Sequence, residues 1–259
     1  MFRILFMLFL MLFGSISLAE SRGFDLELGP HISSIDYSET GGVSQRGRTS
    51  GINARYSAYF PFTVLLVDLS HASGDVNYKG AGEIKGIKDE LYELRSMMGR
   101  AFYVNDSYRL TPYLGLGYRR STVDSSNDIS STSVVGYKSQ QTYLYNPIGV
   151  EIQQLMGDNA WVVGGRFEFD NLLLSNNETR LGEPGAYKTV DLSQKDGRGY
   201  RFYLNFRQFL NTNGSGIVIE PFYKYWEVFG SPLKNDSTVA DANIKHDSEE
   251  WGVAVLLSF

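Results

Sequence analysis

The sequence predicts an all-β protein whose antiparallel strands run up and down around a closed transmembrane barrel. Ten segments alternate between apolar and polar residues with the period of two that is typical of β-strands. The connections between these segments alternate between short and long. After residue 19 the longest apolar runs are 64–67 and 253–257, whereas a transmembrane helix needs about 20 apolar residues. A helical membrane protein is therefore excluded.

The first 19 residues have the features of a cleaved secretory signal peptide. Arg3 supplies the positive charge, residues 4–13 are all apolar, and Ser17 and Ala19 place small side chains at the positions that a signal peptidase reads. We therefore predict that residues 1–19 are removed and that residues 20–259 form one barrel domain.

The first five predicted strands place charged or small residues between apolar ones. They cover residues 24–28, 52–58, 65–69, 92–98 and 110–118. In the first strand Asp25 and Glu27 separate apolar neighbours, and in the fifth Gly115 and Gly117 do so. Such strands have one apolar face and one polar face.

Five further strands complete the predicted barrel. They cover residues 144–152, 161–169, 200–206, 217–225 and 251–259. The seventh is the clearest, because Trp161 and Val163 lie on the face opposite Arg166. The first and sixth strands have the least regular alternation, so eight to twelve strands fit the pattern and about ten fit it best.

The lengths of the connections indicate how the barrel is oriented. The short connections are 59–62, 103–107, 155–159 and 210–216, and the long ones are 37–50, 71–88, 121–139, 171–198 and 229–248. This alternation is typical of barrels in the outer membrane of Gram-negative bacteria, with short periplasmic turns and long extracellular loops. An even strand number also predicts that both termini are periplasmic.

The charged residues of these strands fall on the face opposite the apolar one. If the apolar face meets lipid, the charged face lines the interior, because a Lys or Arg facing mid-membrane lipid costs about 2 to 4 kcal/mol. The predicted lumen-lining residues are Glu27, Arg55, Asp68, Glu93, Arg95, Arg119, Glu151, Arg166, Glu168, Asp170, Arg201, Arg207, Glu220 and Lys224. With Asp25, Arg109 and Glu250 the face carries nine acids and eight bases, which predicts internal salt bridges.

Composition excludes several functions. The chain has no cysteine, which removes disulfides, thiol nucleophiles and thiolate metal sites. The net charge is -5 and no basic run exceeds Arg119 and Arg120, which argues against nucleic acid as a partner. No cofactor motif or metal-ligand pattern is present, and we predict neither a cofactor nor a metal.

The last nine residues resemble the terminal strand of Gram-negative outer-membrane proteins, and residues 111–118 resemble a strand of small porin-like and OmpA-like barrels. The assembly signal implied by this resemblance comprises Trp251, Val253, Val255, Leu257 and Phe259. The resemblance implies that the barrel assembly machinery and periplasmic chaperones act during biogenesis, and that lipid and lipopolysaccharide surround the mature protein.

Catalytic residues are poorly represented. Omptin-like proteases are ten-stranded barrels with Asp/Asp and Asp-x-His pairs, but His31, His71 and His246 do not occur in Asp-x-His. A pairing of Asp68 with His71 near the second long loop is the best remaining candidate. Ser residues near a His, as a barrel hydrolase would need, carry no further pattern. We therefore predict that the protein is not an enzyme.

Three functions remain as hypotheses. The first is a narrow porin-like channel for small polar solutes, which predicts a continuous wet path past Glu27, Arg55, Glu168 and Arg207. The second is a non-conducting recognition, adhesin or structural barrel, which predicts a plugged lumen and binding in the long loops. A barrel hydrolase is third.

Overall fold

The computed structural model describes residues 23–61, 63–80, 82–156, 160–181, 188–194, 196–211, 214–230 and 245–259. The predicted signal peptide, residues 1–19, lies outside the described residues. No helix in the described part of the chain is long and apolar enough to cross a membrane.

The described residues form twelve β-strands. They are β1 (Gly23–Glu39), β2 (Val43–Tyr59), β3 (Val64–Lys79), β4 (Glu83–Gly99), β5 (Phe102–Tyr103), β6 (Tyr108–Asp124), β7 (Lys138–Met156), β8 (Trp161–Leu181), β9 (Lys188–Gln194), β10 (Gly197–Phe209), β11 (Gly216–Val228) and β12 (His246–Ser258).

All strand pairs are antiparallel and the sheet closes on itself. β12 pairs with β1, and β10 pairs with both β11 and β8. β9 continues the pairing of β10 along the other half of β8, so the two behave as one barrel strand, while β5 is a two-residue addition to β6. The barrel therefore has ten strands, and the predicted fold class and strand number are confirmed.

The predicted long loops were largely wrong, because most of their residues belong to strands. β1 and β2 are separated only by residues 40–42, although residues 37–50 were predicted to be a loop. Likewise β3 extends to Lys79, β8 to Leu181 and β12 begins at His246. Beyond the lipid a strand needs no apolar outer face, so the alternation ends while the hydrogen-bond ladder continues. Within the predicted loop 229–248, residues 231–244 lie outside the described part.

An apolar belt surrounds the half of the barrel that is nearer the chain termini. Its exposed side chains include Phe24, Ile32, Leu114, Phe167 and Trp251, which are 66%, 62%, 62%, 52% and 63% exposed. Beyond it the outward side chains become polar. Such a belt is the lipid-facing surface of a transmembrane barrel.

The two ends of the barrel differ. Gly23 and Phe259 lie at one end, where the backbone amide of Leu26 donates to Phe259 O over 3.2 Å. We call the opposite end the distal end. There Thr40, Gly41 and Gly42 form the tight β1–β2 turn, in which Gly42 N donates to Glu39 O over 3.2 Å. Gly41 and Gly42 have φ of 104° and 84°, which glycine adopts without steric cost.

A β-bulge changes the inward face of β8. Tyr145 is opposite Leu172 whereas Leu144 is opposite Leu174, so Leu173 is an extra residue. Before the bulge even-numbered residues of β8 point inward; after it, Ser175 is fully buried and odd-numbered residues point inward. An extra residue in one strand has this effect because side chains alternate between faces.

Candidate functional site

The middle of the barrel interior is filled by ion pairs that cross it. Arg201 on β10 is fully buried and donates hydrogen bonds to both oxygens of Glu93 on β4, over 2.8 and 2.7 Å. Its Nε donates to Asp170 Oδ2 over 2.5 Å. The hydroxyl of Tyr145 accepts from Arg201 and donates to Glu93, each over 2.8 Å. This arrangement joins β4 to β7, β8 and β10 across the interior.

A second group of ion pairs lies around Arg55 on β2. Its guanidinium donates to Glu220 over 2.8 and 3.0 Å, to Glu27 over 2.9 Å and to Asp68 over 3.2 Å. Asp68 also accepts from Arg95, and from Arg166 over 3.3 Å. Because Glu220 lies on β11, this group also crosses the interior.

Further pairs link these groups and extend them towards both ends. Arg95 donates to Glu168 over 2.5 Å, and Arg207 donates to Asp25 over 2.5 Å and to Glu27. Towards the distal end, Glu250 lies 3.2 Å from Lys224 and 3.7 Å from Arg119. Together these side chains form what we call the ion-pair network.

The structure places thirteen of the fourteen predicted lumen-lining residues in this network. They are Glu27, Arg55, Asp68, Glu93, Arg95, Arg119, Arg166, Glu168, Asp170, Arg201, Arg207, Glu220 and Lys224. Glu151 is partly exposed and forms no ion pair within the described residues. Buried charges of this kind need partners, since removing one partner of a buried pair costs about 3 to 5 kcal/mol.

The network leaves very little free space. A cavity within it, lined by Arg55, Asp68 and Glu93 among others, has a volume of about 30 Å³, which is room for about two water molecules. Glu27, Arg55, Glu168 and Arg207, which a channel would need along a wet path, are engaged with one another or with neighbouring charges.

Aromatic side chains cover the network on its distal side. Trp226 is 1% exposed and its ring centroid lies 4.9 Å from that of Tyr145 and 5.3 Å from that of Tyr143. Leu172 and Val228 complete this buried cluster.

A much larger cavity lies at the distal end. This distal cavity has a volume of about 300 Å³. Most of its walls are hydroxyl, amide and aromatic side chains, among them Tyr37, Gln45, Tyr137, Ser139, Gln141 and Asn177. A second cavity of about 270 Å³ lies near the termini, beside Tyr59, Arg109 and Gln153.

A hydrogen-bond chain crosses the barrel beside the distal cavity. Gln141 Nε2 on β7 donates to the hydroxyl of Tyr37 on β1 over 3.2 Å, and the hydroxyl of Tyr143 donates to Gln141 Oε1 over 3.1 Å. That same hydroxyl lies 2.7 Å from His246 Nε2 on β12. Burial lowers the pKa of His246 to about 4, so the imidazole is neutral at physiological pH.

Two charged groups of the cavity wall lie beyond the apolar belt. Asp89 is 6% exposed and accepts from Ser121 Oγ over 3.3 Å. Burial raises the pKa of Asp89 to about 6, although the nearby Arg119 acts in the opposite direction. Arg119 Nη1 is buried and has no hydrogen-bond partner among the described residues. It is therefore a donor that a bound molecule could use.

Sequence reasoning missed the distal cavity, because many of its residues fell in predicted loops. Tyr37, Tyr137 and Ser139 lay in the predicted loops 37–50 and 121–139. One signal was present: from Tyr137 through Ser139, Gln141 and Tyr143, every second residue is polar or aromatic, continuing the sixth predicted strand.

The candidate catalytic pair is not brought together. Asp68 points into the barrel, whereas His71 is on the outer wall, where its ring lies 4.4 Å from that of Tyr92 and its Nε2 lies 3.4 Å from Glu90. An odd spacing of three along one strand places the two side chains on opposite faces.

The fold resembles that of known outer-membrane barrels. The outer-membrane protease OmpT from Escherichia coli aligns with a TM-score of 0.69 at 12% identity, over 93% of this chain and 97% of that one. The translocator domain of the autotransporter NalP from Neisseria meningitidis gives 0.46 at 11% identity, covering 96% and 94%. OprG from Pseudomonas aeruginosa gives 0.42 at 9% identity, covering 91% and 95%.

No family model matches the sequence, and the search of curated proteins gave no match. At 12% identity and a TM-score of 0.69, the likeness to OmpT shows a shared fold and nothing more. The chain therefore has the fold of an outer-membrane β-barrel, and its function has to be argued from its own side chains.

Proposed function

We propose that the protein is a non-conducting outer-membrane barrel that binds a small polar ligand at its distal end. The observation that carries this proposal is the contrast between the ion-pair network, with its cavity of about 30 Å³, and the distal cavity of about 300 Å³. A solute that enters the distal cavity is blocked by the buried Trp226 and by the paired charges of the network, so it cannot pass through the barrel. This favours the second sequence hypothesis over the channel.

The apolar belt and the fold support a position in the outer membrane. The belt adjoins the termini, and the strands continue past it only in the distal direction, so we place the termini in the periplasm and the distal cavity outside the cell. In this orientation outer-membrane lipid and lipopolysaccharide contact the belt and the polar wall above it. We propose no catalytic role for Asp68 and His71, because their side chains lie on opposite faces of β3.

A liposome-swelling assay tests whether the barrel admits small polar solutes. Refolded mature protein in liposomes is challenged with iso-osmotic glycine, urea or arabinose, with a general porin as the positive control. We expect swelling no faster than in protein-free liposomes, because the network fills the interior. Swelling that slows progressively with solute size would support the channel hypothesis instead.

Orientation has a separate test. Cysteine is introduced at the exposed Thr40, in the distal β1–β2 turn, or at the exposed Asp106, between β5 and β6 at the other end; the chain is otherwise free of cysteine. On intact cells a membrane-impermeant maleimide is expected to label Thr40→Cys only. Labelling of Asp106→Cys alone would reverse the proposed orientation.

A further inference from the structure

The chemistry of the distal cavity indicates which class of ligand it binds. We propose that it binds a saccharide of one or two sugar rings. This inference rests on the proposed function, since it specifies the ligand of the same cavity. Three observations support the saccharide proposal: the size of the cavity, the groups on its wall and the hydrogen bonds that hold those groups in place.

The size of the cavity sets the first limit. A volume of about 300 Å³ is at the lower end of the range of about 300 to 1,000 Å³ that small-molecule sites occupy. It admits one or two sugar rings but not a folded partner or a long chain. Because Glu39 and Gln45, close to the β1–β2 turn, line the cavity, it reaches the distal rim of the part of the barrel that the structure describes.

The wall matches the hydrogen-bonding pattern of a sugar. A sugar hydroxyl both donates and accepts, and so do the amides of Gln45, Gln141 and Asn177 and the hydroxyls of Ser139 and Thr179. These groups surround the space on several strands. Ser139 and Thr179 already donate to Asn177 Oδ1 over 3.4 Å each, and the remaining donor and acceptor positions of the wall can bond to hydroxyls around a sugar ring.

Aromatic rings supply the complementary apolar surface. Tyr37 and Tyr137 line the cavity and are only partly buried, so their rings remain accessible. A sugar ring has a face of C–H groups, which packs on the negatively polarised face of an aromatic ring. Tyrosine suits such a site because its hydroxyl can bond to the ligand or the wall.

The charges of the wall favour a neutral ligand. Arg119 is the one Lys or Arg among the described lining residues, and Glu39 and Asp89 are the acids. A phosphorylated or otherwise strongly anionic ligand would require more cations than this. Arg119 Nη1 lies 3.7 Å from Glu250 but has no hydrogen-bond partner among the described residues. Asp89 and this Nη1 can instead bond to hydroxyls, since charge-assisted hydrogen bonds are the stronger ones.

The site is arranged before any ligand arrives. The chain from Tyr37 through Gln141 and Tyr143 to His246 ties three strands together with bonds of 3.2, 3.1 and 2.7 Å. The bulge at Leu173 turns Asn177 and Thr179 inward. Pre-arranged polar groups reduce the entropy lost on binding.

Trp226 provides an internal reporter for the experiment, because it contacts Tyr143 on the cavity wall. The other two tryptophans, Trp161 and Trp251, are exposed in the apolar belt and are replaced by Phe. The refolded mature chain is titrated with the methyl glycosides of glucose, galactose and mannose, with N-acetylglucosamine and with lactose. Glycylglycine is titrated separately as a zwitterionic peptide probe.

We expect a saturable change of Trp226 fluorescence with at least one saccharide at micromolar to millimolar concentration. Gln141→Leu and Asn177→Leu should each weaken binding about 3- to 10-fold, as expected for the loss of one hydrogen-bonding group. The matched control is Gln153→Leu, which removes the same amide from the cavity near the termini and should leave the titration unchanged. Asn177→Leu keeps the test valid if Gln141→Leu fails to fold.

Three results would overturn the saccharide proposal: no response to any of the five saccharides from a folded barrel, a response to glycylglycine alone, or a saccharide response that Gln153→Leu abolishes while Gln141→Leu and Asn177→Leu do not. Binding of glycylglycine in the distal cavity would overturn only the ligand class. The swelling assay decides separately whether the barrel is non-conducting, so failure of the proposed function is distinguishable.

Discussion

At the scale of single residues, the account depends on which charges are buried and paired. The sequence was sufficient to assign inward-facing charges, because one alternating pattern decides the face of every residue along a stretch of strand without a bulge. It could not identify partners, since Arg201 bonds with Glu93 from a strand on the far side of the barrel. Such partners depend on how the closed barrel brings distant strands together.

Removing a buried member of the network should destabilise the barrel strongly. Arg201→Met leaves Glu93 and Asp170 without their main cation, and we expect the free energy of unfolding to fall by about 3 to 5 kcal/mol. Urea unfolding in detergent micelles measures this. The control is Arg198→Met on the same strand. The Arg198 side chain is half exposed, and its partner Glu227 also pairs with Lys245, so this substitution should change little. Equal effects would mean that burial of the network contributes nothing.

His246 should make stability depend on pH. Its folded pKa, about 4, is below the ordinary 6.5, so the stability conferred by the neutral, buried ring is present above pH 6.5 and is lost as pH falls towards 4. The contribution is up to about 3 kcal/mol. The difference in unfolding free energy between the wild type and His246→Gln should therefore shrink over this range. A difference that stays constant as the pH falls from 6.5 to 4 would contradict the account.

At the scale of elements, strand boundaries were harder to predict than strand existence. The alternating pattern located ten strands where an apolar face meets lipid, but it ended at the edge of the belt. Tyr37 to Glu39 and residues 43–50 are strand although their outer face is polar. The strand segments beyond the belt are rich in Ser, Gly and Asn, and this composition was interpreted as loop. The distal cavity was missed because these segments form its wall.

The bulge in β8 gives an element-level prediction. With Leu173 in place, Ser175 points inward and Asn176 outward. Deleting Leu173 should remove the bulge without changing either face, because Leu174 then follows Leu172 in regular alternation. Deleting Leu173 and Leu174 together should reverse both faces. A maleimide should therefore label Asn176→Cys in the intact barrel and after the single deletion, but Ser175→Cys after the double deletion. Labelling of Ser175→Cys after the single deletion would contradict this account of the bulge.

The last strand carries the predicted assembly signal. Trp251, Val255, Leu257 and Phe259 point outward and are 63%, 46%, 51% and 56% exposed, and β12 closes the barrel against β1. Phe259→Ser should lower the yield of barrel that shows heat-modifiable migration on gels. Leu210→Ser, an exposed apolar residue outside this strand, is the control. Equal yields for the two variants would contradict the prediction that Phe259 is part of an assembly signal.

At the scale of the whole molecule, the barrel has a lipid-facing half with a filled interior and a polar distal extension with an open cavity. A ten-stranded barrel is narrow enough for side chains from opposite walls to meet, since barrels with open channels have more strands. The sequence predicted this strand number, and the near balance of nine acids and eight bases predicted internal pairing. A narrow barrel and paired interior charges together account for the filled lumen.

The most direct test of this central claim is the single-channel conductance of the refolded mature protein in a planar bilayer, recorded beside an Arg207→Glu variant. We predict that the folded wild-type barrel gives no steady openings, because its interior charges are paired across the lumen. Steady wild-type openings, with an ion preference that shifts in Arg207→Glu, would contradict the account and show a conducting pore lined by these residues.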